Sequence, residues 1–133
     1  RATEGHLAVA RAVFEAVGET LVVEEAMMNA VTAVSGSGPG YVFRIMEALV
    51  EAGEGVGFER EAAVRLVTQT VLGAAHLAAA SDRSLAELRE MVTSPGGTTA
   101  AGLAVLEDRH LEEILTAAVR AARDRAVELG RAR

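Results

Sequence analysis

VTQTVLGAAHLAAA, residues 67–80, decides the architecture. It continues the segment that opens near Glu59, and over these fourteen positions apolar or small residues fall on nearly every side of a helix rather than along one stripe. A helix without a polar face must be covered all round. A chain of 133 residues has room for one domain with a hydrophobic core, so cover on every side of one helix calls for a second copy to supply part of it. Composition points the same way. Half of the residues are apolar, but with three Phe, one Tyr and no Trp the apolar content is Ala, Val and Leu, which favours closely packed helices over a sheet.

Working outward from this segment, the spacing predicts helices on both sides. Toward the N-terminus, Val42, Ile45, Met46, Leu49 and Val50 form one stripe over residues 39–52, ending in GEGVG at 53–57. Before it, a helix opening on Glu24 and Glu25 reaches about Val34 and is stopped by SGSGPG, residues 35–40, a sharp junction whose Pro39 suits a new first turn. Thr20–Val23 is β-like but too short and isolated to found a sheet. The first helix runs from Thr3, as cap, to Val17, with Gly18 as its stop. Toward the C-terminus, Ser84 with Glu87 makes a capping box for a helix that ends near Met91 or Val92. Helices over about 98–107 and 110–129 follow, with Gly130 as the final stop. The expectation is an all-α bundle of about six to seven helices in one domain.

Charge and composition exclude several functions. Nineteen acids against thirteen basic residues give a net charge of −6, unsuited to a nucleic-acid backbone. With no Cys there is no disulfide framework, thiol nucleophile or Cys-based zinc site, and His6, His76 and His110 lack the local spacing of a metal cluster. No uninterrupted apolar run reaches the length that spans a bilayer, and the acids near the start do not suit a signal peptide. The chain is expected to be soluble and cytoplasmic, with no membrane partner and no metal.

Two glycine-rich junctions remain as carriers of chemistry. Thr93-Ser94-Pro95-Gly96-Gly97-Thr98-Thr99 precedes a helix, where unpaired N–H groups and the positive end of the dipole attract an anion. The threonine hydroxyls could orient a small carboxylate or phosphate; the simpler reading is that Thr98 caps the helix and the glycines make the turn. SGSGPG is neither a dinucleotide fingerprint nor a P-loop, since it lacks GxGxxG spacing, follows a helix, and has no Gly-Lys-Ser/Thr.

In order and separation, VTAVSGSGPGYVF (31–43), TQTVLGAA (68–75) and LREMVTSPGGTTAAGL (88–103) resemble the C-terminal domain of pyrroline-5-carboxylate reductases, a similarity extending from about Glu4 to Gly130. The resemblance implies an interlocked homodimer, assembling further to decamers in parts of the family. It also implies an N-terminal Rossmann domain for NADPH or NADH that is absent from residues 1–133, so the fragment alone is expected to bind cofactor poorly and to be inactive. The reaction implied is reduction of 1-pyrroline-5-carboxylate to L-proline. Carried onto matching positions, the amides of Gly97, Thr98 and Thr99 hold the substrate carboxylate and the Thr99 hydroxyl meets the ring nitrogen as the catalytic contact. Glu25 contributes a further substrate contact. Met91 stands where family members often carry a polar side chain beside the cofactor. Two alternatives are a non-enzymatic helical oligomerisation module and the dimerisation domain of another Rossmann dehydrogenase; VTSPGGTT argues against the latter.

Overall fold

The structure, a computed structural model, describes residues 2–131. Helices account for the regular structure: α1 (Glu4–Glu15), a 3-10 turn (Glu25–Met27), α2 (Met28–Val31), a π turn (Thr32–Gly36), α3 (Gly38–Gly55), α4 (Arg60–Ala80), α5 (Leu85–Met91), α6 (Thr98–Asp108) and α7 (Leu111–Arg131). No strand occurs among the described residues, so the expected all-α class holds.

Helices α3 and α4 pack along each other as a hairpin, and the sequence shows why the turn forms. Gly57, at φ +104, takes a left-handed conformation that favours glycine; its amide donates to the Glu54 carbonyl at 3.0 Å and the Phe58 amide to the Gly53 carbonyl at 3.1 Å. These two bonds make a Schellman motif that satisfies the last carbonyls of α3. Arg60 closes the turn on Glu54 at 2.9 Å. Gly53 also lets the helices approach: a Cβ there would lie 3.2 Å from the Cβ of Ala63, which is buried. The other packed layer is α7 against α2 and the π turn, with α6 resting on α7.

Several sequence expectations are corrected. The helix expected over residues 24–34 is three kinds of turn in succession, and SGSGPG does not break the chain sharply. The Ser37 amide bonds the Thr32 carbonyl at 2.8 Å, an i to i+5 bond that keeps this stretch helical up to α3. The first helix ends at Glu15, short of Val17 and Gly18. Gly130 lies inside α7, which continues to Arg131, because a glycine near a helix end weakens the helix without forbidding it. Thr20–Val23 has no regular structure and makes no backbone hydrogen bond among the described residues.

The single chain has little interior. Among the described residues the buried apolar side chains are Ala33, Val50, Ala63 and Leu88, whereas Leu66, Leu72 and Leu77 of α4 are exposed. The accessible surface is 10958 Å². A compact monomer of 13.8 kDa exposes about 6,600 Å². The roughly 4,300 Å² excess shows that these residues by themselves lack the compactness of a small globular monomer. By length and composition alone α4 is also sufficient to cross a membrane, which the count of uninterrupted apolar residues did not indicate. Arg65, Gln69 and His76 along it are groups that hydrocarbon does not solvate.

Candidate substrate-anchoring site

Helix α5 sets the approach to the SPGGTT loop. The Ser84 hydroxyl accepts from the Glu87 amide at 3.3 Å, and the Glu87 carboxylate accepts from both the amide and the hydroxyl of Ser84 at 2.7 Å, the predicted capping box. These bonds, the hydroxyl's first, hold the Glu87 carboxyl below its ordinary pKa. Leu88 is buried, and at the far end the Thr93 hydroxyl donates to the Arg89 carbonyl at 2.6 Å.

The chain then reverses over Ser94–Gly97. Pro95 occupies the second position, Gly96 the third at φ +69, and the Gly97 amide donates to the Ser94 carbonyl at 3.0 Å, the pattern of a type II turn. Gly97 is the N-cap of α6 at φ −78 and ψ 174, a backbone open to any residue. Glycine is favoured there for a different reason, since a Cβ would sit 2.5 Å from Ser94 Oγ and 3.1 Å from the Ser94 carbonyl oxygen. The first bond of α6 runs from the Ala101 amide to the Gly97 carbonyl at 3.1 Å. The amides of Thr98, Thr99 and Ala100 therefore precede the helical ladder and have no intrahelical partner.

This placement modifies the expected set. Gly97 shapes the loop, but its own amide is committed to Ser94, so the third amide available at the helix end is that of Ala100. Thr98 is the first residue of α6 rather than its cap. Sequence reading missed Ala100 because it placed the cap one residue late; glycine at N-cap is the signal that corrects the count. Thr98 and Thr99 are both exposed.

The other two candidates lie apart from these amides. Met91, the last residue of α5, is exposed, and its sulfur accepts from Arg83 Nη1 at 3.3 Å. Glu25 opens the 3-10 turn, is exposed, and belongs to an element that packs on α2, with no extended interface to α5 or α6 within one protomer.

Comparison with known proteins shows the family of the chain. The family model for pyrroline-5-carboxylate reductase dimerisation matches residues 25–129. The pyrroline-5-carboxylate reductase of Synechocystis is 49% identical over 125 residues, covering 94% of this chain and 47% of that protein. That of Arabidopsis thaliana is 45% identical over 128 residues, covering 96% of this chain and 46% of that protein. Among solved structures, the Coxiella burnetii pyrroline-5-carboxylate reductase superposes with a TM-score of 0.92 at 44% identity, over 96% of this chain and 48% of that one. The Plasmodium falciparum pyrroline carboxylate reductase with NADP bound gives 0.88 at 32% identity, over 98% and 52%. The chain thus spans about half the length of the relatives it matches. Matched over most of its length by the family's dimerisation model, the chain belongs to the pyrroline-5-carboxylate reductase family.

Proposed function

We propose that these residues form the substrate-anchoring and self-associating part of an enzyme that reduces 1-pyrroline-5-carboxylate to L-proline with NADPH or NADH. The observation that carries this reading is the SPGGTT turn, which leaves the amides of Thr98, Thr99 and Ala100 unpartnered beside the Thr99 hydroxyl. Three N–H groups at the positive end of an eleven-residue helix suit a carboxylate, the one fixed charge of a cyclic imino acid. With the carboxylate held there, the Thr99 hydroxyl meets the ring nitrogen and orients the imine. A threonine hydroxyl is too weak an acid to protonate that nitrogen unaided, so its part is orientation and polarisation, with water or the iminium's own proton completing the balance. Glu25 favours the protonated imine by its charge. Because no extended interface joins it to the loop within one protomer, that role requires a second copy to bring it there.

The dinucleotide supplies hydride to the imine carbon when bound. The described residues do not contain the strand, glycine-rich turn and helix that hold such a cofactor, so its pocket belongs to the other half of the enzyme's length. Met91 would border it as an apolar neighbour, contributing its backbone rather than a polar side chain. Self-association is supported by the large exposed apolar surface and by the family's dimerisation model; we assign the assembly an interlocked homodimer, acting in the cytoplasm.

The test is Thr99→Val in the full-length enzyme. A lost orienting contact lowers kcat by about 10²-fold or more, the scale of a positioned polar group in catalysis, with proline affinity nearly retained because the amides remain. Wild-type kinetics in this variant would remove the role assigned to Thr99. Failure of proline to bind the wild-type enzyme would remove the site.

A further inference from the structure

Arg83 is a guanidinium held in place with nothing of opposite charge beside it. Its backbone is fixed on both sides, since its amide donates to the Ser81 hydroxyl at 3.1 Å and the next residue, Ser84, caps α5. The side chain runs back along the seven residues of α5, and its Nη1 donates to the Met91 sulfur at 3.3 Å. That direction suits a cation, which is favoured at the C-terminal end of a helix and disfavoured at the N-terminal end, where Arg83 is attached. Unlike Arg11, Arg44 or Arg60, it has no carboxylate partner among the described residues, and the adjacent Asp82 is not one. A thioether is a weak acceptor, so most of the N–H donors of this exposed group remain unengaged.

We propose that Arg83 binds the pyrophosphate of the dinucleotide, so that the helical part of the enzyme supplies a cation to the cofactor. The inference rests on the reading that Met91 borders the cofactor, because the contact with Met91 is what brings the guanidinium there. Charge selects the ligand. A planar guanidinium with free donors matches phosphate oxygens. The substrate offers one carboxylate, which the amides of Thr98, Thr99 and Ala100 take, and an unpaired cation near its ring would oppose the protonated imine that accepts hydride. The remaining anions of the ternary complex are the phosphates of the dinucleotide. Of these the pyrophosphate is the nearer to the reaction. The nicotinamide must face the imine carbon, and the extra phosphate that distinguishes NADPH sits on the adenine ribose at the far end. Met91 is then a positioning residue, whose sulfur aims the guanidinium and whose own side chain binds nothing.

Equilibrium binding of NADPH and of NADH to the full-length enzyme, read by nicotinamide fluorescence, decides it. Arg83→Met keeps an apolar stem and removes the charge. It should weaken both dinucleotides by about tenfold or more and flatten the dependence of affinity on salt, while proline binding and the urea midpoint keep their wild-type values. Arg83→Lys restores the charge without the planar fork and should recover part of the loss. Arg120→Met removes another arginine without a carboxylate partner among the described residues, on α7, and should leave dinucleotide affinity within about twofold of wild type. Wild-type affinity in Arg83→Met overturns the proposal. So does a loss confined to NADPH, which would place Arg83 on the adenine-ribose phosphate, or a loss of proline binding, which would place it on the substrate. An equal loss in Arg120→Met would reduce the effect to net charge and overturn it too. A wild-type enzyme that binds neither dinucleotide would remove the reductase reading itself, and this proposal with it.

Discussion

Adding one methyl group at Gly97 tests the reasoning about the SPGGTT loop most sharply. The backbone at φ −78 and ψ 174 accepts alanine without strain, so any cost comes from space alone. A Cβ would meet Ser94 Oγ at 2.5 Å and the Ser94 carbonyl oxygen at 3.1 Å. The hydroxyl can swing away, but the carbonyl cannot move freely, since it accepts the Gly97 amide at 3.0 Å and thereby closes the turn. Gly97→Ala should therefore displace the turn by a few tenths of an ångström and destabilise by roughly 1–3 kcal/mol, the range for a tight overpacked site. The displaced amides should weaken proline binding by about tenfold, equivalent to about 1.4 kcal/mol. The assay is proline titration and urea unfolding of the full-length enzyme, with Ser94→Ala added in the Gly97→Ala background. The second change removes the nearer clash and should recover part of the stability. If Gly97→Ala matches wild type in both measurements, or if Ser94→Ala recovers nothing, the steric account is wrong.

Gly96→Ala fails for the opposite reason, with open space around it but φ at +69, so it should cost about 1–2 kcal/mol in unfolding with no rescue from Ser94→Ala. Leu72→Glu on α4 would put a carboxylate into the exposed apolar surface that we assign to self-association; sedimentation should show self-association weakened by at least about 100-fold, as expected for an unpaired buried charge. Ser84→Ala removes the hydroxyl, the larger of the two causes that depress the Glu87 pKa, and leaves the backbone amide of residue 84 donating to the carboxylate. A depressed carboxylate stabilises the fold above its unfolded pKa, and that contribution disappears as pH falls through the folded value. The variant should thus be less stable at neutral pH and lose less on acidification, as pH-dependent urea midpoints will show.

Local chemistry is what the sequence expresses best. Ser84 and Glu87 announce their capping box three residues apart, and Gly53 to Gly57 announce the end of α3, because caps are made by residues adjacent in the chain. The all-round apolar character of α4 anticipates its exposure in a single protomer for the same reason. Features that depend on packing were less legible. The π turn at Thr32–Gly36 lies against α7, some ninety residues on, and nothing within its own five residues distinguishes it from a tapering α-helix. Gly130 reads as a stop, yet a single glycine costs α7 only about 1 kcal/mol and the helix continues. At the loop, the turn and its helix were legible and the cap was misplaced by one residue, since Gly97 and not Thr98 is the N-cap of α6. Glu25 lies apart from the loop among the described residues, and no local pattern in the sequence signals that separation.

The scarcity of buried side chains in one protomer has a consequence for how the protein comes into being. With little beyond Ala33, Val50, Ala63 and Leu88 shielded, these residues have almost no interior of their own to complete before they meet another copy. For this part of the protein, acquiring a native state is then a second-order event, its half-time set by how many sister chains are at hand. Scarce transcripts lengthen the interval in which α4 stands open to chaperones, proteases and aggregation. Where two alleles are expressed together, a defective chain is not confined to its own molecules, because each encounter can seal it to a sound one.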